Sequence, residues 1–288
     1  MHAVATAREV LREAERKLKA SPAIEHPHAG KERYDAEQLL AVVLGREPDG
    51  EEEVVGPALT RFRRMIARRE SGVPLAYLTG RTTFLELTLE VRPGAFIPRE
   101  SSEFLAEQAI RRLRGRRRPV HLDLATGMGP VALAVASALP RAKVLGVDVA
   151  GRPVELARHN AVRLRIRNVT FRRGDLFDPV PRRLKGLVDV ITLHPPYVGR
   201  REMKELPDEI RGFEPEESLT DRSPRGLGLL GRAANEAPEW LRSGGWLLVE
   251  VSPDRSRAVA QVLRQTGFRG VRSTKGGVEV SRVVVGRI

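Results

Sequence analysis

The sequence predicts an α/β fold in which a small helical domain precedes a mostly parallel sheet with crossover helices and a final antiparallel strand. Three observations carry this. From Val120 onward, short apolar runs alternate with helical stretches, the rhythm of repeated βα units. The first eighty residues show helical rather than alternating spacing. A glycine-rich turn stands between the first of the later apolar runs and the helical stretch that follows it. With 288 residues and 41% hydrophobic content, the chain can bury two such units.

Helical periodicity covers Ala5 to Lys19, then Asp35 to Leu44 with Gly45 as the stop, then Pro57 to Arg69 with Phe62, Met65 and Ile66 on one face. In FLELTLEV, residues 84–91, Leu85, Leu87, Leu89 and Val91 alternate with Glu86, Thr88, Glu90 and Arg92, as in a half-buried connecting strand. Pro93-Gly94 supplies a turn, and a helix begins near Ser101 or Ser102, either of which can cap it. The α/β alternation then runs VHLDLA, PVALAVASAL, KVLGV, PVELARHNAVRL, VTF, VDVITL, a long excursion, and WLLVEV. SRVVVGR follows a turn at Gly276-Gly277 as the antiparallel strand. There is no internal repeat.

Composition narrows the function classes. The chain has no cysteine, which excludes disulfides and thiolate metal sites and points to a reducing, cytoplasmic setting. Val4 to Lys19 alternates apolar and charged groups, unlike a signal peptide, and no apolar run reaches membrane length, so no membrane partner is expected. No metal ligand set is apparent. A net charge of +13 favours a polyanionic partner such as RNA or the ribosome, although an arginine-prone genome gives the same excess. The arginines are scattered and few aromatics lie between them, which argues against sequence-specific base reading.

The chemistry-bearing motifs lie after the first strand. In DLATGMG, Asp123 to Gly129, the chain turns through Gly127 and Gly129 into a helix, where glycine lets backbone N–H groups approach a ligand. Asp148, ending the second strand in GVDVA, is placed to accept from two ribose hydroxyls. The pattern is A-x-G-x-G, with Ala125 first, rather than the G-x-G-x-x-G of dinucleotide sites, which disfavours pyrophosphate. Asp175, after the third strand in RRGDLFD, reads as a partner for an adenine amino group beside the apolar Leu176 and Phe177, or as a turn-forming Asp after Gly174. Asp123 reads as a buried carboxylate tying the turn together and as a group near the cofactor. The fourth strand, VDVITL, runs into His194-Pro195-Pro196-Tyr197. Two prolines fix the chain there so that carbonyls can accept from an N–H₂ group, and Tyr197 can lie against a flat acceptor. A rigid turn with a core tyrosine is the plainer reading of the same four residues.

At these motifs the chain resembles the HemK/PrmC-type protein-(glutamine-N5) methyltransferases, which act on the Gly-Gly-Gln glutamine of peptide-chain release factors. The likeness takes in DAEQLLAVVLG, RRESGVPLAYLTG, FIPRESSEFL, DLATGMGPVALAVA, GVDVAGRPVELARHNA, GDLFDPVP, VDVITLHPPYV, FEPEESL, GGWLLVEV and SRVVVG. It implies a class I, Rossmann-like S-adenosylmethionine-dependent methyltransferase domain over residues 99–288, a β-hairpin linker over 81–98, and a helical substrate-recognition domain over 1–80. It further implies that Phe96, Pro98, Arg99, Asp123, Ala125, Thr126, Gly127, Gly129, Asp148, Val149, Asp175, Leu176 and His194 line the S-adenosyl-L-methionine site. His194, Pro195, Pro196 and Tyr197 would form the catalytic segment, and Glu214-Pro215 an ordered element after it. Arg99 reads equally as an ion-pair partner.

Three departures stand out. His194 replaces the family's Asn, Ala125 replaces its first motif glycine, and Glu100 to Glu103 reads E-S-S-E where the family has P-E-T-E. A methyl at Ala125 is tolerated if φ stays negative. A neutral imidazole at His194 has one donor and one acceptor where an amide has both on one short arm. The expectation is that His194 takes the acceptor role toward the target nitrogen and removes its proton after transfer. The alternatives are transfer to another planar nitrogen, such as an exocyclic amine of an RNA base, and an inactive cofactor-binding protein of the ribosome.

Overall fold

The computed structural model describes residues 5–24, 30–276 and 281–288. The chain divides into two compact units, one formed by residues 1–81, 91–93 and 205–214 and the other by residues 82–90, 94–204 and 215–288.

In the first unit three helices pack together: α1 (Ala7–Lys19), α2 (Glu32–Leu44) and α3 (Gly56–Glu70), with a short α4 (Leu75–Thr79). Thr6 caps α1 in a reciprocal box with Glu9, and α2 stops where Gly45 turns left-handed at φ 74°. Strands β1 (Ala5–Thr6) and β2 (Glu53–Val54) pair beside these helices. Val10, Leu11, Leu18, Leu39, Leu40, Phe62 and Ile66 form the core.

At one end of that core sits a fully buried arginine. Arg69 donates from Nε to Asp35 at 2.6 Å, and its Nη1 lies 2.9 Å from Glu209, which belongs to the later segment 205–214. Burial raises the Asp35 carboxyl above its usual range, opposed by the Arg69 hydrogen bond. The segment that returns from the far half of the sequence is therefore tied into this unit by charge as well as packing. It contains a single turn of helix, α8 (Asp208–Arg211).

In the second unit FLELTLEV is a hairpin, not one strand. Strands β3 (Arg81–Phe84) and β4 (Leu87–Glu90) are joined by a tight turn in which Leu85 has φ 50°. The alternation of leucines runs on through the turn and hides it. Helix α5 (Ser101–Leu113) follows, but Glu100 holds the cap position and no side chain caps it. Both serines lie inside the first turn, where Ser102 is free to serve another purpose.

The main sheet has seven strands in the order β10-β11-β9-β8-β5-β6-β7. Strands β5 (Val120–Leu124), β6 (Lys143–Asp148), β7 (Val169–Arg173), β8 (Val188–Leu193) and β9 (Leu241–Val251) are parallel, and β11 (Arg282–Arg287) runs antiparallel between β9 and β10 (Arg269–Thr274). Crossovers are made by α6 (Pro130–Ala138), α7 (Gly151–Arg163) and α10 (Gly228–Trp240), with α9 (Glu216–Leu219) and α11 (Ser256–Gln265) completing the layers. Strand β10 and helices α10 and α11 have no counterpart in the sequence reading. Of the turn expected at Gly276-Gly277, Gly277 lies outside the described residues.

Strand order reverses beside β5, which places the open crevice at the carboxyl ends of β5, β6 and β8. One face of β5, β8 and β9 carries the apolar set Leu122, Leu124, Ile191, Leu193, Leu247 and Val249. The opposite face carries His121, Asp123 and Thr192, since side chains alternate along each strand.

Candidate active site

The Gly-rich turn is held from below by a buried polar chain. Asp123 on β5 and Thr192 on β8 are register partners, and the Thr192 hydroxyl donates to Asp123 at 2.6 Å. The Thr126 hydroxyl donates to the other Asp123 oxygen at 2.5 Å. His121 Nε2 lies 2.8 Å from Thr192 Oγ1. Because that hydroxyl's proton is committed to Asp123, His121 must donate from Nε2, so its neutral tautomer follows from the geometry. Burial pushes His121 down to about 3. It also pushes Asp123 up to about 6, against the lowering bonds from Thr126 and Thr192. The Thr126 hydroxyl is thus committed to Asp123, where it braces the turn.

Above this chain the backbone makes three left-handed steps, at Ala125 (φ 50°), Gly127 (φ 55°) and Gly129 (φ 83°). The condition of negative φ under which a methyl at Ala125 is tolerated is therefore not met. The first position of the motif needs a conformation that costs an L-residue roughly 1 kcal/mol, and this chain carries alanine there. Gly129 is required twice over, because a Cβ would sit 2.7 Å from the Phe171 ring and 3.1 Å from Ala157. Gly146 on β6 is equally constrained, 2.6 Å from Phe171 and 2.8 Å from the Thr126 hydroxyl. Neither Gly146 nor Phe171 was singled out in the sequence, although together they set the level at which the turn rests.

Asp148, at the end of β6, accepts from the Gly127 N–H at 2.7 Å and the Ala150 N–H at 2.9 Å, one on each oxygen. Burial raises its carboxyl, and these two backbone bonds oppose the rise. Each oxygen keeps a lone pair for a further donor. Gly127 has no atom within 4 Å of where a Cβ would be, and the adjacent Val149 is 59% exposed. An open turn, a carboxylate with spare acceptors and a bare apolar side chain therefore lie side by side. Leu176 is buried with φ 43°, and Phe177 stacks on Trp240 at 5.5 Å. Asp175 is half-exposed and ion-paired with Arg232 of α10.

At the end of β8 the structure gathers His194, Tyr197, Phe96 and Arg99. The His194 ring lies 5.7 Å from that of Tyr197, inclined at 25°, and meets the edge of Phe96 at 5.7 Å. The Arg99 guanidinium covers the Phe96 ring at 4.9 Å, and Pro98 and Pro195 are buried. Burial pushes the Tyr197 phenol up to about 12, with the negative charge of Glu250 adding to the rise. Sequence reasoning missed two neighbours, Ser102 Oγ at 3.3 Å and Glu250 Oε2 at 3.7 Å from His194 Nδ1. A lone carboxylate in the apolar run WLLVEV was the available signal for Glu250, since a buried charge in a strand is rarely incidental.

The loop after the motif is pinned. Tyr197 bridges to Thr220, the Val198 N–H donates to the Leu219 carbonyl at 3.0 Å, and a Cβ on Gly226 would fall 2.0 Å from the Tyr197 carbonyl oxygen. Asp221 collects the Ser223 hydroxyl and the N–H groups of Ser223 and Leu229. Burial works against its ionisation, yet these bonds hold its carboxyl below the usual range. Glu214 is buried, and Pro215 precedes α9.

Two family models match parts of the chain, and curated relatives match most of it. Residues 9–80 match the family described as PrmC N-terminal domain, and residues 119–262 match that described as Methyltransferase domain. The chain is 35% identical over 265 residues to the release factor glutamine methyltransferase of Yersinia pestis, covering 90% of this chain and 94% of that one. It is 33% identical over 261 residues to the protein of the same name from Geobacter sulfurreducens, covering 89% of each. Among solved structures, a ribosomal protein L11 methylase from Lactobacillus delbrueckii subsp. bulgaricus is similar at TM-score 0.47 and 18% identity, covering 68% of this chain and 84% of that one. The chain therefore belongs to the release factor glutamine methyltransferase family, and it is a methyltransferase.

Proposed function

We propose that this protein transfers a methyl group from S-adenosyl-L-methionine to the side-chain amide nitrogen of a glutamine in a peptide-chain release factor, in the cytoplasm. The single observation that carries the reading is the convergence of the HPPY segment with Phe96 and Arg99 at the carboxyl end of β8, one strand from the Gly-rich turn of β5.

The residues present fit the cofactor. Asp148 has acceptors for two ribose hydroxyls, Val149 and Leu176 offer apolar surface to the adenine, and Gly127 leaves the turn open to an approaching ligand. Asp175 keeps acceptor capacity toward the adenine amino group beyond its pairing with Arg232. When bound, S-adenosylmethionine supplies an electrophilic methyl on a sulfonium sulfur.

The remaining work falls to this chain. An amide nitrogen is a poor nucleophile because its lone pair is delocalised, so the site must hold the amide in line and keep water out. Hydrogen bonds from the amide N–H groups to His194 and to the Pro195 carbonyl draw density onto nitrogen. Tyr197, stacked near His194 and kept neutral by burial, gives the planar group a flat wall.

A second reading, transfer to another planar nitrogen such as an exocyclic amine of an RNA base, is favoured by one further observation. The guanidiniums of Arg112, Arg272 and Arg287 converge on Trp246 at 4.8, 5.8 and 5.8 Å. Burial and repulsion from Arg111 and Arg272 push Arg112 down to about 10. None of these four arginines pairs with a carboxylate among the described residues. Such a cluster suits the phosphates of RNA or the ribosome. Methyl transfer with purified release factor and with total RNA as competing acceptors separates the readings. Label on the factor, lost in His194→Ala while cofactor affinity is kept, supports the first. Label on RNA alone overturns it.

A further inference from the structure

A buried carboxylate with an unpartnered oxygen stands behind His194, the residue of the HPPY segment in which this chain departs from its family. Glu250 is 1% exposed, and its Oε2 has no hydrogen-bond partner among the described residues. The register Leu193↔Val249 brings His194 and Glu250 to the same level on adjacent parallel strands. Nδ1 of His194 lies 3.7 Å from that oxygen and 3.3 Å from the Ser102 hydroxyl, while Nε2 makes no hydrogen bond among the described residues. The side chain retains 19% exposure. Both neighbours are therefore on the Nδ1 side, and the other ring nitrogen is left for a ligand.

A neutral imidazole carries one proton, and only one of the two neighbours dictates where it sits. A hydroxyl donates or accepts and serves either tautomer. An ionised carboxylate only accepts, and a buried one without a donor carries its full desolvation penalty. We infer that Glu250 is a positioning residue that fixes His194 in the Nδ1–H tautomer, so that Nε2 presents a lone pair to the N–H of the acceptor amide. A shift of about 0.8 Å brings Nδ1–H and Oε2 to ordinary hydrogen-bond distance. The carboxylate also makes Nε2 a better acceptor, as carboxylate partners do for histidines elsewhere. This supplies what the amide oxygen of asparagine gives in the family pattern, and explains how histidine substitutes for it. The inference rests on the acceptor-side reading of His194 given above.

The test is ¹⁵N NMR of the full-length, histidine-labelled protein at neutral pH, with His194 assigned by its loss in His194→Asn. The expected signature is a pyrrole-like Nδ1 and a pyridine-like Nε2, and the reverse pattern in the unsubstituted protein overturns the inference. Ser102→Ala should keep the pattern, and a swap there would make Ser102 the determinant instead. Glu250→Met, similar in length and without an acceptor, should swap the protonated nitrogen. It should also lower turnover about tenfold to a hundredfold, the range for losing an orienting partner, with affinity for S-adenosylhomocysteine kept. In the His194→Asn background, whose amide needs no tautomer, Glu250→Met should leave turnover unchanged. An equal loss in both backgrounds marks a general structural role and overturns the inference. A swap without loss of turnover upholds the tautomer assignment and removes His194 from the acceptor site, so the two failures are distinguishable.

Discussion

The hydroxyl of Thr192 donates to the carboxylate of Asp123 across 2.6 Å, joining the strand that ends in the Gly-rich turn to the strand that ends in HPPY. His121 feeds the same hydroxyl from behind, and Thr126 completes the chain in front. The two halves of the site are thus set to one level by a buried polar network, which rewards full satisfaction and penalises any gap.

Thr192→Val keeps the shape and removes both functions of the hydroxyl. It leaves the His121 N–H and one Asp123 oxygen unsatisfied in the core, at about 2–4 kcal/mol for the pair. Urea unfolding of the variant against the parent protein measures it. A loss under half a kilocalorie would mean that the network has no structural weight.

His121 predicts a pH dependence. Its folded value of about 3 lies below the ordinary 6.5, so its contribution is present above about pH 6.5 and is lost as pH falls toward 3. Asp123, raised to about 6, works the other way, its contribution being present below about 4 and lost as pH rises through 6. His121→Gln removes the first effect alone. Between pH 7 and pH 5 the variant should lose about 2 kcal/mol less stability than the parent in urea titrations.

At the turn, Gly129→Ala is blocked by Phe171 and Ala157 and by its own φ, and should cost about 2–4 kcal/mol while abolishing cofactor binding measured by calorimetry. Ala125→Gly relieves a left-handed alanine and should raise stability by about 0.5–1 kcal/mol in the same assay. Equal effects at the two positions would contradict the backbone account.

Arg69→Met should destabilise the helical unit by about 3–5 kcal/mol, since it removes the buried cation that pairs with both Asp35 and Glu209. Hydrogen exchange should show loss of protection in residues 205–214 along with α2 and α3.

Much of this was legible in the sequence because the determinants are local. Periodicity marks α1 to α3, and glycine and aspartate at strand ends mark the turn and the Asp148 carboxylate that accepts from it. What escaped is non-local. Leu85 turns within an unbroken alternation, so periodicity alone reads as one strand what the resemblance implies is a hairpin. Thr192, Ser102 and Glu250 acquire meaning only when β5, β8, β9 and α5 are brought together, from residues up to 148 positions apart in the chain. Ala125 misled for a different reason: alanine ordinarily signals negative φ, and here the fold overrides it.

The most direct test of the account uses the full-length protein, S-adenosylmethionine with a labelled methyl, and a release factor, followed by peptide mapping. The account predicts one added methyl on the glutamine of the Gly-Gly-Gln segment, absent from a His194→Ala control that still binds cofactor. An unlabelled glutamine, with label on RNA or nowhere, would contradict it.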